Sequence, residues 1–231
     1  MNLFYQPLLP EGILYLDADE SRHCIKVLRH NTGDVIHITD GKGFFYDAVI
    51  TKADDRQCTF RIQEKSAKPV RDYTIHIAIS PTKNADRIEW FVEKAVELGV
   101  DIVSIINCEN TERTYLKKER LEKVAVSAMK QSLKATLPRI EGLLEFDAIV
   151  KSEASQKFIA FVDQQNPDHL KNIALPGKDY LVLIGPEGDF SAEELSAAIA
   201  NGFQKVSLGQ SRLRTETAGL AACHILNLAN D

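Results

Sequence analysis

The spacing of hydrophobic and polar positions changes character near residue 70. Before it the apolar residues alternate in short runs. Residues 34–40 (DVIHITD) and 44–52 (FFYDAVITK) read as strands, and Gly41-Lys42-Gly43 between them signals a hairpin. Residues 57–64 (QCTFRIQE) predict a further strand, and 21–29 a short helix with Ile25 and Leu28 on one side. A small barrel of about five or six strands fits this run. Residues 65–72 (KSAKPVRD) are polar, contain Pro69 and read as a linker.

From residue 73 strands and helices alternate. Residues 73–80 put Ile75, Ile77 and Ile79 on one strand face. Residues 84–98 carry Ile88, Phe91, Val92 and Ala95 as a helical stripe, with Gly99 where a C-terminal cap belongs. A strand is predicted at 101–107, and a long basic helix at 116–135 that Pro138 ends. Further strands are predicted at 157–162, 180–184 and 205–208. Ser191-x-x-Glu194 is a capping box that opens a helix, and 215–229 closes the chain as another. Strands separated by helices imply a parallel sheet covered on both faces. There is no internal repeat and no low-complexity tract.

Composition narrows the class. At 231 residues, 44% hydrophobic and 26% charged, the chain is a globular protein rather than a disordered one. No run approaches the roughly 20 apolar residues that span a bilayer, and MNLFYQPLLPEG lacks the basic and apolar regions of a secretory signal. The cytoplasm is the default, and no membrane partner is expected. Cys24, Cys58, Cys108 and Cys223 form no C-x-x-C pair and read as reduced and structural. His23, His30 and His37 recur every seven residues without an accompanying cysteine or H-E-x-x-H, so no metal is expected.

The net charge of −5 argues against a nucleic-acid partner, but its distribution argues for one. Residues 113–139 hold eight Lys/Arg against two acids, and 22–30 hold three Lys/Arg, two His and no acid. These runs are either RNA-facing patches, with Arg22, Lys26, Arg29, Lys117 and Lys118 in them, or ordinary solvated faces. Lys83 and Arg87, at a strand-to-helix junction, could hold RNA phosphates in the same way.

Two loops carry candidate chemistry. In 183–191 (LIGPEGDFS) a buried strand gives way to a Gly/Pro turn and a capped helix, the place where open α/β sheets bind ligands. Glu187 and Asp189 would repel a phosphate, and neither G-x-x-x-x-G-K-[ST] nor G-x-G-x-x-G is present. The loop suits a cationic ligand rich in hydroxyls and amines, such as S-adenosylmethionine, or is simply a tight structural turn. In 208–219 (LGQSRLRTETAG) a strand again ends in glycine. Five residues with two arginines then precede Thr215, a plausible N-cap, and the small Thr217, Ala218 and Gly219 would admit another chain segment or a flat ring. Gly209-Gln210-Ser211 followed by Arg212 and Leu213 is no nucleophile elbow.

KNADRIEWFVEKAVELGV (83–100), LIGPEGDFSAEEL (183–195) and SLGQSRLRTETA (207–218) together resemble a bacterial ribosomal RNA methyltransferase family, the SPOUT-type enzymes that methylate N3 of a uridine in 16S rRNA. His23-x-x-x-Val27-Leu28-Arg29 is similar to that family's opening motif. The resemblance implies a PUA-like β-barrel (1–68) followed by an α/β SPOUT domain (73–231) with a trefoil knot near 180–220. It implies S-adenosylmethionine bound by Leu183, Ile184, Gly185, Pro186, Glu187, Gly188, Leu208, Gly209, Leu213, Arg214, Thr215 and Ala218, and a homodimer acting on 16S rRNA of the small ribosomal subunit. His23, Lys130 and Lys134 join the RNA-facing residues on the same ground. The chain departs from the family at Ser211-Arg212 and at Lys134, which keeps a charge without the planar arginine fork. Uridine N3 must lose a proton to attack, and charge then develops on O2 and O4. Arg214 is the candidate to stabilise it, the alternative being a surface salt bridge; Glu216 is a weaker candidate base, the alternative being a cap on the last helix.

Overall fold

The computed structural model describes residues 2–162 and 168–231, and the chain divides into two compact units. One comprises Met1–Val70 with Val126–Leu137; the other comprises Arg71–Ala125 and Pro138–Asp231. The stretch 126–137, which the sequence places in the second domain, thus groups with the first unit. Helical periodicity shows which face is apolar but not which partner covers it.

In the first unit β1 (Leu3–Tyr5), β2 (Val35–Thr39), β3 (Phe44–Lys52) and β4 (Thr59–Ala67) form a four-stranded sheet in chain order. β1 runs parallel to β2 and the other pairs are antiparallel. The expected hairpin is present, and Gly41 (φ 72°) and Gly43 (φ 104°) supply its left-handed backbone. Asp40 accepts from Lys42 N–H at 2.7 Å and from the Tyr46 hydroxyl at 3.0 Å. Burial, then this bond, pushes the Tyr46 pKa up to about 12. Ile36, Ile38, Tyr46, Ala48, Ile50 and Phe60 point inward onto Phe4, Leu16, Cys24 and Cys58. β4 continues through Lys65 and Ser66, paired with Tyr46 and Phe45, into the stretch expected to be linker. β1, three residues long, is too short to show a period. All four cysteines are free and buried.

The predicted helix at 21–29 starts earlier, as α1 (Ala18–Arg22), because the Asp17 side chain caps it through Glu20 N–H at 2.8 Å. It then widens into one π-helical turn, His23–Val27. Arg29, at φ 61°, leaves the helix in the left-handed region.

In the second unit β5 (Thr74–Ile79), β6 (Ile102–Asn107), β7 (Arg139–Glu145), β8 (Gln156–Ala160), β9 (Asp179–Ile184) and β10 (Gln204–Val206) form a sheet of order β10-β8-β9-β5-β6-β7. Every pairing is parallel, as the alternation of strands and helices requires. α2 (Ala85–Leu98) has Asn84 as its cap, Gly99 (φ 101°) as its stop, and the predicted stripe buried. α3 (Lys118–Gln131), of which 118–125 belong to this unit and 126–131 to the first, is shorter than the predicted basic helix: Leu133 turns left-handed at φ 53°, and Ser132 Oγ donates to Ala128 O at 2.6 Å. β7 has no counterpart in the sequence pattern, since Gly142 interrupts it and its register slips beside Ser104. Short helices α4 (Phe146–Ile149) and α5 (Leu170–Ile173) follow, then α6 (Ala192–Ala200) with the expected capping box, and α7 (Thr215–Leu228). Among the described residues no helix is long and apolar enough to cross a membrane.

A polar chain crosses this sheet: His76 on β5 meets Ser104 Oγ at 2.7 Å, and Ser104 donates to Glu141 on β7. Burial pulls the His76 pKa down to about 4 from the ordinary 6.5. The unfolded chain therefore binds a proton between those values that the folded chain refuses. Stability is expected to be full above about pH 6.5 and to fall as pH drops toward about 4, flattening below. Denaturant titrations of the wild type and His76→Gln across this window check it; the variant should lose most of the slope.

Candidate active site

The loops leaving β5, β6 and β9 are knitted together. Ser80 N–H donates to Ile184 O at 3.0 Å, and Ser80 Oγ lies 2.9 Å from Thr111 Oγ1. Lys83 N–H donates to Glu187 Oε1 at 3.2 Å, and Arg113 Nη1 to Lys83 O at 3.2 Å. Asn110 Nδ2 donates to the carbonyls of Gly188 (3.3 Å) and Asp189 (3.1 Å). Glu194 accepts from Ser191 N–H and Glu109 N–H, each at 2.9 Å. Asp189 stands at φ 62°, and burial raises its carboxyl pKa above the usual range.

The glycines of this loop have an internal reason. A Cβ on Gly185 would lie 3.1 Å from the Phe190 ring, and one on Gly188 3.1 Å from Asn110 Cβ. Gly185→Val, an obvious probe of a cofactor cradle, therefore disturbs the buried Phe190 first. Gly209 differs: at φ 127° only glycine is comfortable, and a Cβ there meets nothing within 4 Å. Its backbone faces open space.

α7 begins beside this loop. Thr215 Oγ1 donates to Gly185 O at 3.1 Å, so the two chemistry-bearing loops are joined directly. Thr215 is the first helical residue and not the N-cap; Arg214 holds that position with no side-chain cap bond. The small residues next to it serve helix packing at Gly219, whose absent Cβ would lie 2.7 Å from Phe91 and 2.9 Å from Ile79.

In front of α7 lies an open hollow of about 540 Å³ lined by Asp86, Arg87, Trp90, Arg212, Leu213, Arg214, Glu216 and Thr217. Glu216 is buried, its side chain 8% exposed, and Arg87 Nε stands 3.8 Å from its Oε1. The Arg214 side chain forms no ion pair among the described residues. The predicted Leu213, Arg214 and Glu216 thus meet here with Arg87, whereas 183–188, Leu208 and Gly209 do not line the hollow. Asp86, Trp90, Arg212 and Thr217 also line the hollow and are not among the site residues expected from the sequence. The spacing of Asp86 and Trp90, four apart on one helix, was the available signal.

A model of the RNA methyltransferase domain matches residues 69–227, and one of the RNA methyltransferase PUA domain matches 16–63. The chain belongs to the RNA methyltransferase domain family. This RNA methyltransferase is 28% identical to the ribosomal RNA small subunit methyltransferase E of Aquifex aeolicus, over 98% of this chain and 99% of that one. It superposes on a probable rRNA-methyltransferase from Porphyromonas gingivalis with a TM-score of 0.93 and 45% identity, covering 100% and 98% of the two chains. It likewise matches the small subunit methyltransferase E of Neisseria gonorrhoeae, a structure bound to S-adenosyl methionine, with a TM-score of 0.85 and 27% identity over 100% and 98%.

The residues expected to face RNA are spread over both units of this methyltransferase. Arg22 and His23 are exposed, with the His23 ring edge-on to Phe4 at 6.3 Å. Lys26 pairs with Asp55 at 3.2 Å, and Lys83 with Glu112 at 2.7 Å. Lys118 pairs with Glu122 at 3.3 Å, while Lys117 is exposed. Lys130 is half-buried and holds Glu20, so it acts inside the first unit. Lys134 is also engaged.

Proposed function

We infer that the chain is an S-adenosylmethionine-dependent methyltransferase that modifies N3 of a uridine in 16S rRNA of the small ribosomal subunit. The observation that carries this reading is the hollow where Arg214, Arg87 and Glu216 converge at the start of α7, inside the domain matched to the family. The proposed cofactor residues are Leu183–Gly188, Leu208, Gly209, Leu213–Thr215 and Ala218, in a segment proposed to be knotted. The first unit's sheet is proposed to belong to a PUA-like barrel, and the working form to be a cytoplasmic homodimer.

The residues present fit the cofactor. The 185–189 loop offers carboxylates rather than a phosphate cradle, in keeping with a sulfonium. Gly209 leaves backbone open to a ligand, and α7 starts without a side-chain cap, so its first-turn N–H groups remain available. When bound, S-adenosylmethionine supplies an electrophilic methyl group on a positively charged sulfur. The chain must orient the uracil, take up the N3 proton and stabilise charge on O2 and O4. Arg214, which lines the hollow and forms no ion pair among the described residues, is proposed to supply the last of these. Glu216 is proposed to accept the proton, and Arg87 to fix the direction of its carboxylate.

Incubation with labelled S-adenosylmethionine and small subunits lacking the modification tests the reading. Label should appear in 3-methyluridine of 16S rRNA; label absent from RNA, or on another atom, overturns it. A second expectation concerns RNA affinity. Reversing Lys117, Lys118 and Lys123 to Glu should weaken RNA binding, because fewer counterions are released. The slope of log K against log salt should fall by about 0.7–0.9 for each phosphate no longer neutralised. Cofactor affinity should not change. An unaltered slope in a filter-binding series would mean that these lysines only solvate their helix.

A further inference from the structure

Trp90 is the only tryptophan of the chain, and it is 42% exposed on α2. Large aromatic side chains are ordinarily covered, and a buried indole N–H ordinarily finds an acceptor. Here the ring lines the hollow, and its N–H has no partner among the described residues. Around it stand Arg87, one turn back on the same helix, and Arg212 and Arg214 across the hollow. Three guanidiniums, the carboxylates of Asp86 and Glu216 and one indole are a poor surface for an apolar protein partner. With Arg87 turned to Glu216, they match a nucleotide that has left its helix: Arg212 and Arg214 for its phosphates and carbonyl oxygens, and a flat ring for the base. The hollow, at about 540 Å³, has room for one nucleotide.

We propose that Trp90 is the stacking platform that positions the unpaired target pyrimidine against Arg214. This rests on the methyl-transfer reading and deepens it. Arginines alone attract any stretch of RNA backbone, because phosphate contacts carry no base identity. The indole adds a face that only an extruded base can cover. Trp90 is therefore a positioning residue. It acts on how strongly and in which orientation the base is held, and leaves the cofactor untouched.

Two measurements on the intact protein test this. In the first, the fluorescence of the sole tryptophan is titrated with a short single-stranded RNA bearing one central uridine, and with the same RNA carrying an abasic residue there, both with S-adenosylhomocysteine present. Strong quenching by the first RNA and little by the second is expected; equal quenching overturns the proposal. In the second, wild type, Trp90→Phe and Trp90→Leu are compared on unmodified small subunits. Trp90→Leu should raise KM about ten- to a hundredfold, the loss of one base–aromatic stack, with melting temperature and cofactor affinity unchanged. Trp90→Phe should recover most of the loss. An unchanged KM in Trp90→Leu, or a loss that Phe does not rescue, overturns the proposal. So does a Trp90→Leu chain that sediments at a different mass from wild type, since Trp90 would then be covered by a second copy. A wild-type chain that binds the uridine RNA with quenching but transfers no methyl group would remove the methyl-transfer reading instead.

Discussion

Arg214→Ala is expected to lower kcat and kcat/KM together by about 10²–10³, the usual loss for one preorganised donor to a developing oxyanion. The side chain sits at the N-cap of α7 but caps nothing, and no carboxylate holds it among the described residues. It lines the hollow beside Glu216 and Trp90. A group with no partner in the resting protein contributes little to folding, so the melting temperature should stay within a degree or two of wild type and cofactor affinity within a few-fold. Arg214→Lys should recover only part of the rate, because an ammonium cannot offer two parallel N–H donors. Single-turnover rates, calorimetry with S-adenosylmethionine and thermal melts on the same preparation check all three. A destabilised Arg214→Ala that has also lost its cofactor would show a structural arginine instead.

Gly219→Val is expected to destabilise the second unit by at least about 3 kcal/mol, the upper end of the cost of overpacking a tight core. The absent Cβ at this position would lie 2.7 Å from Phe91 Cε2 and 2.9 Å from Ile79 Cδ1. Both neighbours are fully buried, so neither can swing into solvent. A β-branched residue inside α7 must push α2 and β5 away or unfold the turn that carries Thr215 and Glu216. Gly219→Ala meets the same neighbours with less bulk, and its gain in helix propensity offsets up to about 1 kcal/mol. Denaturant midpoints should therefore rank wild type, Ala, Val in falling order. Equal midpoints for wild type and Val would mean that the helices are not packed this closely.

The parallel sheet, α2 with its caps, the capping box at Ser191 and the Gly41–Gly43 hairpin were all legible, because each is written in a local period or a terminal residue. β7 was not, since Gly142 breaks its pattern and its place is set by pairing with β6, a long-range contact. The grouping of 126–137 with the first unit, and the commitment of Lys130 to Glu20, also depend on distant partners. At the site, Arg214 and Glu216 were visible through a motif. The Arg87–Glu216 pair and the hollow that gathers Trp90 join residues more than a hundred positions apart, beyond any local rule. Gly185 and Gly188 stand in the loop expected to bind the cofactor, and a Cβ on either would meet the chain's own Phe190 or Asn110, a long-range constraint that no local pattern shows.

The chain is proposed to transfer a methyl group to N3 of a 16S rRNA uridine. Mass mapping of modified uridines in 16S rRNA, from a strain lacking this chain and from the same strain carrying it again, tests that most directly. One 3-methyluridine should vanish from the first and return in the second, and should not return with Arg214→Ala at wild-type levels of protein. An unchanged set of methylated uridines in the strain without the chain would contradict the account.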